Sequence, residues 1–117
     1  VMGNYINENG VVRKSENFQE YLEWFSRVEP EGMPPTPFAE GGRRVDLTTV
    51  GVLTVSTVFL GIDHGWRGVP VLFETMIRNH EGMFLDHQWR YHTVEEARAG
   101  HAKVVEAIQN NRNLEEI

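Results

Sequence analysis

The densest concentration of reactive side chains lies in one loop. Gly61-Ile-Asp-His-Gly-Trp-Arg-Gly68 sets a carboxylate, an imidazole, an indole and a guanidinium among three glycines. Glycine accepts backbone conformations closed to other residues, and loops carried on a rigid sheet are common places for binding. Asp63, His64, Trp66 and Arg67 are therefore the candidate contacts for a ligand or partner. Trp and Arg are also the residue types that most often dominate binding surfaces. The plainer alternative is a hairpin loop in which Asp63 accepts turn N–H groups and Trp66 packs on the sheet.

Three residues are candidates for acid–base work: Glu74, His64 and His101. Glu74 falls in the middle of a strand-like segment. If its face is covered, a buried carboxylate with a raised pKa would suit a general acid or base. If its face is open, it is a solvated or arginine-paired residue. The set Val71, Phe73, Thr75 and Ile77 makes the better core face, which favours the open alternative. His101 lies on the apolar stripe of a helix, directly after Gly100, and is either a satisfied core histidine or the partner of Glu74 or Asp63. Glycine inside a helix costs about 1 kcal/mol against alanine, so the close approach of another backbone is expected there.

Other chemistries lack their spacing. Asp63, His64, Glu74 and His101 have no close His-x-x-x-His or His-x-Asp arrangement, so no metal and no cofactor is expected. His80, His87 and His92 are scattered around the last hairpin. Ser56 and Thr57 sit within a strand rather than at a nucleophile elbow. Gly61-x-x-x-Gly65-x-x-Gly68 lacks the lysine and the following helix of a phosphate loop. Arg43 and Arg44, with Arg67, Arg78 and Arg90, offer a means of holding a small anion, although separated arginines more often make weak surface ion pairs.

The elements that must position these residues follow from the rest of the chain. Its 117 residues contain no cysteine, 11 Lys+Arg and 17 Asp+Glu, for a formal charge of −6. Without cysteine there is no disulfide scaffold, thiolate metal site or cysteine nucleophile. The acidic balance argues against general nucleic-acid binding, which needs a basic face. No apolar run approaches the roughly 20 residues of a membrane span, and no basic-then-apolar leader opens the chain. Met2-Gly3 reads as the natural start, with Val1 in front of it. Residues 2–117 suit a single domain.

Asn9-Gly10 between Tyr5 and Val12 predicts a short hairpin. Phe18, Tyr21, Leu22, Phe25 and Val28 predict a helix over 15–28, capped by Ser15 and ended by Pro30. The segment 29–42, rich in Pro and Gly, reads as a connector outside the core. Strands are expected over 43–50, 52–60, 69–77 and 83–91, and Thr93-Val-Glu-Glu96 is a capping box opening a last helix. Short connections imply an antiparallel meander. The expected fold is α+β: a three- to four-stranded antiparallel sheet with an N-terminal and a C-terminal helix on one face, plus the N-terminal hairpin.

Val55-Ser-Thr-Val-Phe-Leu-Gly-Ile-Asp-His64, Leu72-Phe-Glu-Thr-Met76, Arg90-Tyr91-x-Thr93, Glu95-Glu96-Ala97 and Gly100-His101 occur in order. In these motifs the chain resembles a family of small uncharacterised proteins of bacteriophages and bacterial mobile or accessory DNA. The resemblance spans roughly residues 48–105 and departs from the family at the longer turn Arg78-Asn-His-Glu-Gly82. It implies a cytoplasmic accessory protein of a mobile element and no established catalytic activity.

Two functions are therefore expected to compete. The first is a non-enzymatic binding module for a host protein or a small anionic ligand, acting through the 61–68 loop and the sheet face. Self-association as a homodimer is its natural extension. The alternative is a small hydrolase- or isomerase-like enzyme, with Glu74 as base, His64 or His101 as second acid–base group and Arg67 holding an anion. Assembly into a larger particle is a third, blander use of such a chain.

Overall fold

The computed structural model describes residues 3–29, 31–32, 35–65 and 68–117. Strands β1 (Tyr5–Glu8) and β2 (Val11–Lys14) form the predicted hairpin. Its turn residues Asn9 and Gly10 have φ of 53° and 96°. That double left-handed turn matches the twist of the flanking strands and is open to few residue pairs besides Asn-Gly.

Helix α1 (Phe18–Val28) follows. Its N-cap is Asn17, whose side chain accepts the Glu20 N–H at 2.8 Å, rather than the expected Ser15. The Ser15 hydroxyl instead donates to the Asn4 carbonyl at 3.0 Å and ties the end of the hairpin. The helix buries Tyr21, Trp24 and Val28 and leaves Phe18 59% exposed. Its apolar surface is wider than the hairpin can cover, and the covered edge is the one that carries Trp24. Arg13 of β2 clamps the helix to the hairpin through Glu20, at 2.7 Å, and also pairs with Glu8.

The connector is not wholly outside the core. A short 3-10 turn, Phe38–Glu40, inserts Phe38 between Phe59 and Phe73, at ring-centroid distances of 6.0 and 5.6 Å. Tilted and edge-on contacts at this range suit the aromatic quadrupole. The buried Asn7 side chain fixes the segment. Its amide donates to the carbonyls of Phe38 (2.7 Å) and Gly42 (2.9 Å), and its oxygen accepts the Gly10 N–H. Pro30 and Pro34 lie outside the described residues.

Strands β3 (Arg44–Val50), β4 (Leu53–Phe59), β5 (Phe73–Arg78) and β6 (Phe84–Tyr91) form one antiparallel sheet in the order β3-β4-β5-β6. The fold is α+β, and the meander predicted from the short connections is present. β5 begins at Phe73 rather than Val69 because loop bonds claim the preceding backbone. The Val71 N–H goes to Asp63 and the Val71 carbonyl accepts the His64 N–H. Helix α2 (Val94–Gln109) starts at the predicted capping box, with Thr93 and Glu96 bonded reciprocally at 3.1 Å. It packs against all four strands of the sheet, while α1 lies against β1. Trp24 of α1 nevertheless joins the same buried cluster as Phe59, Phe73 and Ala97.

Candidate functional site

The interface between the sheet and α2 repeats one pattern on three elements. Along β4 the inward residues are Phe59, Thr57 and Val55; along β5 they are Phe73, Thr75 and Ile77. These pair rung by rung across the two strands: Phe59 with Phe73, Thr57 with Thr75, Val55 with Ile77. α2 lays Ala97, His101 and Val104 over the same surface. The interior is thus two apolar clusters, one around Phe59 and one around Val55, with a polar belt at the boundary.

The belt is a continuous chain of hydrogen bonds. The Tyr91 hydroxyl donates to Thr75 Oγ1 at 3.1 Å. Thr75 and Thr57 hydroxyls meet at 2.5 Å, and Thr57 Oγ1 lies 2.7 Å from His101 Nδ1. The other ring nitrogen, Nε2, lies 2.9 Å from Thr48 Oγ1 and 3.6 Å from the Asp46 carboxylate. Each hydroxyl has one hydrogen to give, and one arrangement uses all of them in a single direction. Tyr91 donates to Thr75, Thr75 to Thr57 and Thr57 to Nδ1, while Nε2–H points to Thr48 and the Asp46 charge. The opposite tautomer would aim an Nε2 lone pair at that carboxylate and leave the Thr75 hydrogen without its partner. Burial holds the imidazole pKa below 6.5, with Asp46 opposing, so the ring is neutral at pH 7. Among the described residues no buried side-chain nitrogen or oxygen lacks a partner, as a belt through an apolar interior requires.

A carboxylate, an imidazole and a hydroxyl in sequence are also the parts of a nucleophilic triad. Here they cannot attack a substrate. Thr57 is fully buried, its oxygen is shared between Thr75 and His101, and α2 covers it. Asp46, by contrast, remains half exposed at the edge strand. The chemistry of the belt is registration: it fixes where α2 sits along the sheet.

Gly100 belongs to the same arrangement, and what approaches it closely is the Tyr91 side chain rather than the expected second backbone. A Cβ there would lie 2.2 Å from the Tyr91 Oη and 2.3 Å from its Cε1. Gly100→Ala should therefore destabilise by about 2 kcal/mol despite the better helix propensity of alanine, read as a lower urea midpoint. Tyr91→Phe should not rescue it, because the ring carbons remain in the way. In a Tyr91→Ala background the Gly100→Ala penalty should vanish.

The other predicted residues lie elsewhere. Glu74 projects from the opposite face of the sheet, where its carboxylate pairs with Arg90 at 2.9 Å. Glu74 and His101 are thus separated by the sheet, and an acid–base pair joining them is ruled out by geometry. Asp63 does not meet His101 either. Its Oδ1 accepts the N–H groups of Gly65 (2.7 Å) and Val71 (2.9 Å), and those bonds hold its carboxyl below the ordinary 3.8. This is the loop-bracing role of an Asx turn. His64 is exposed, and its backbone N–H closes the same loop onto Val71. Trp66 and Arg67 lie outside the described residues. Among the described residues no three His, Asp or Glu side chains gather as a metal-binding group, and no helix is long and apolar enough to cross a membrane.

Sequence reasoning placed His101 on the inward stripe but missed Thr48, Thr57, Thr75 and Tyr91 as its company. The available signal was the matched threonines at the centre of two apolar strands. The chain matches no protein-family model, no curated protein and no solved structure.

Proposed function

We propose that the protein is a non-enzymatic binding module that docks a protein surface on the uncovered face of its sheet, and that the occupant of that face is a second copy of the chain. The observation that carries this reading is the composition of the outer face. Leu47, Ser56, Met76 and Gln88 lie in one register across all four strands, beside Val58, Glu74 and Arg90. Leu47 is 46% and Phe84 57% exposed. Exposed apolar side chains on both edge strands of an uncovered sheet face are a common mark of an association surface. The face carries both signs of charge, Glu74 and Asp86 with Arg78 and Arg90. Glu74 and Arg90 already pair within the chain, and a second copy brings the same mixed signs, whereas a strongly basic or acidic partner would find no single-sign field to match. The interior points the same way, since Thr57, the hydroxyl on His101 Nδ1, is sealed from substrate. A cytoplasmic accessory protein of a mobile element, as the motif resemblance implies, fits a binding role, and a host protein would use the same face.

Native mass spectrometry over a concentration series tests this. A dimer is expected at micromolar concentration, and Leu47→Glu and Phe84→Glu should each weaken it by at least about tenfold. A protein that stays monomeric at about 100 μM, or a dimer indifferent to both substitutions, would overturn the assignment.

A further inference from the structure

The turn of the N-terminal hairpin carries a reactive pair of residues. Asn9 is the one asparagine of the chain that is followed by glycine. The backbone nitrogen after an asparagine can attack that residue's side-chain carbonyl carbon, and glycine, with no Cβ, shields its nitrogen least. Asn9 is exposed, so water reaches its amide.

The fold holds that nitrogen away from the reaction. The Gly10 N–H donates to Asn7 Oδ1 at 2.8 Å. Asn7 is itself 1% exposed, and its amide is anchored on the carbonyls of Phe38 and Gly42. To react, the Gly10 nitrogen must give up the proton that Asn7 holds. It must also swing toward Asn9 Cγ, which takes the turn out of its double left-handed conformation. The turn cannot rearrange in place, because it abuts the 3-10 turn: a Cβ on Gly41 would lie 3.3 Å from the Asn9 nitrogen. The closed hairpin is therefore protected and the locally opened one is not.

We propose that Asn9 is a site of spontaneous covalent modification by water, deamidation to aspartate and isoaspartate, and that the Asn7 side chain is the lock that restrains it in the folded chain. In the opened hairpin hydroxide removes the Gly10 amide proton, and the nitrogen bonds to Asn9 Cγ. The Cγ–Nδ2 bond breaks, and Nδ2 leaves as ammonia with a proton from water. Water then opens the cyclic imide, at Cγ to give aspartate or at the Asn9 backbone carbonyl to give isoaspartate. Water enters, ammonia leaves, and nothing is oxidised or reduced. Both products place a negative charge next to Glu8, and isoaspartate lengthens the turn by one carbon. A molecule whose hairpin has once opened is thus marked permanently. The site does not depend on association through the outer sheet face.

The test follows the mass of the intact chain at mildly alkaline pH, folded in buffer and unfolded in guanidinium chloride, with fragment spectra to place the change. It is expected at Asn9 in both, at least about tenfold slower in the folded chain. Asn7→Ala should speed the folded chain by at least about threefold. Val104→Ala, which removes packing in the other apolar cluster, should destabilise the fold and leave that rate unchanged. If Asn7→Ala does not fold, the wild-type Gly10 amide decides. Its hydrogen exchange should be slowed by the same factor as the deamidation, and by less than the Val55 and Ile77 amides of the sheet. The proposal fails if folded and unfolded chains react at one rate, or if the change falls on another asparagine. It fails equally if Val104→Ala accelerates the reaction as much as Asn7→Ala, or if the Gly10 amide exchanges freely.

Discussion

Replacing Trp24 by alanine is expected to remove a large share of the stability of this fold, about 3–5 kcal/mol. The side chain is 1% exposed and touches both halves of the structure. Its ring meets Phe59 of the sheet edge-on at 5.6 Å and Tyr21 of its own helix at 5.9 Å. Its indole N–H donates to the carbonyl of Gly41 at 2.9 Å and that of Asn7 at 3.2 Å. Truncating a buried tryptophan costs about 3–5 kcal/mol through lost transfer energy and the cavity left behind. A domain of this size has a total stability of roughly 6–18 kcal/mol. Trp24→Phe separates the two contributions. It keeps much of the packing but strips buried carbonyls of a donor, and should cost about 1–3 kcal/mol. Urea unfolding of both variants measures this. If Trp24→Ala lost less than about 1 kcal/mol, Trp24 would not be the joint between α1 and the sheet core.

That joint was hard to read in the sequence for a physical reason. Six apolar residues occupy eleven helical positions in α1, so two stripes satisfy the same period. Phe18, Leu22 and Phe25 define one, and Tyr21, Trp24 and Val28 the other. Only the hairpin, arriving from outside the helix, decides between them. The capping box of α2 and the Asn-Gly turn were legible because each is settled by atoms within four residues. Phe38 was hidden for the opposite reason: proline and glycine around it announce a connector, and nothing local shows that the connector dips into the core. The face of Glu74 followed from strand alternation. The belt did not, because Thr57 and Thr75 are also favoured strand residues on propensity alone. Their pairing exists only once two strands and a helix are in register.

The belt leads to the second large effect, a loss of stability between neutral and mildly acid pH that belongs to His101. Burial lowers the pKa of this imidazole from 6.5 in the folded state, more than the partly solvated Asp46 raises it. On acidification the unfolded chain therefore takes up this proton first. The contribution is complete above about pH 7 and is lost progressively as pH falls below 6.5 toward the folded-state pKa. Structure explains why the charged ring fits badly. A proton on Nδ1 turns that nitrogen into a donor, so Thr57 must redirect its hydrogen to Thr75, which already receives one from Tyr91. One proton thus breaks a directional chain three hydroxyls long. Carboxylates respond in a different range. Glu20, pushed down to about 2 by Arg13, and Asp63, held low by Val71 and Gly65, give up their contributions only under stronger acid.

His101→Leu should cost about 2–4 kcal/mol at pH 7.5, because it leaves Thr48 and Thr57 without their shared partner. That deficit should shrink as the pH is lowered to 5, since the wild type is then losing what the variant never had. Asp46→Asn supplies the opposite control. Removing the one charge that favours the imidazolium lowers the folded-state pKa further, so the acid loss should deepen rather than disappear. Denaturant melts of the three proteins across this range, with an NMR titration of the His101 ring, measure both effects. Parallel stability profiles for wild type and His101→Leu would mean that the ring titrates as it does in the unfolded chain. The belt would then register α2 on the sheet without sensing protons.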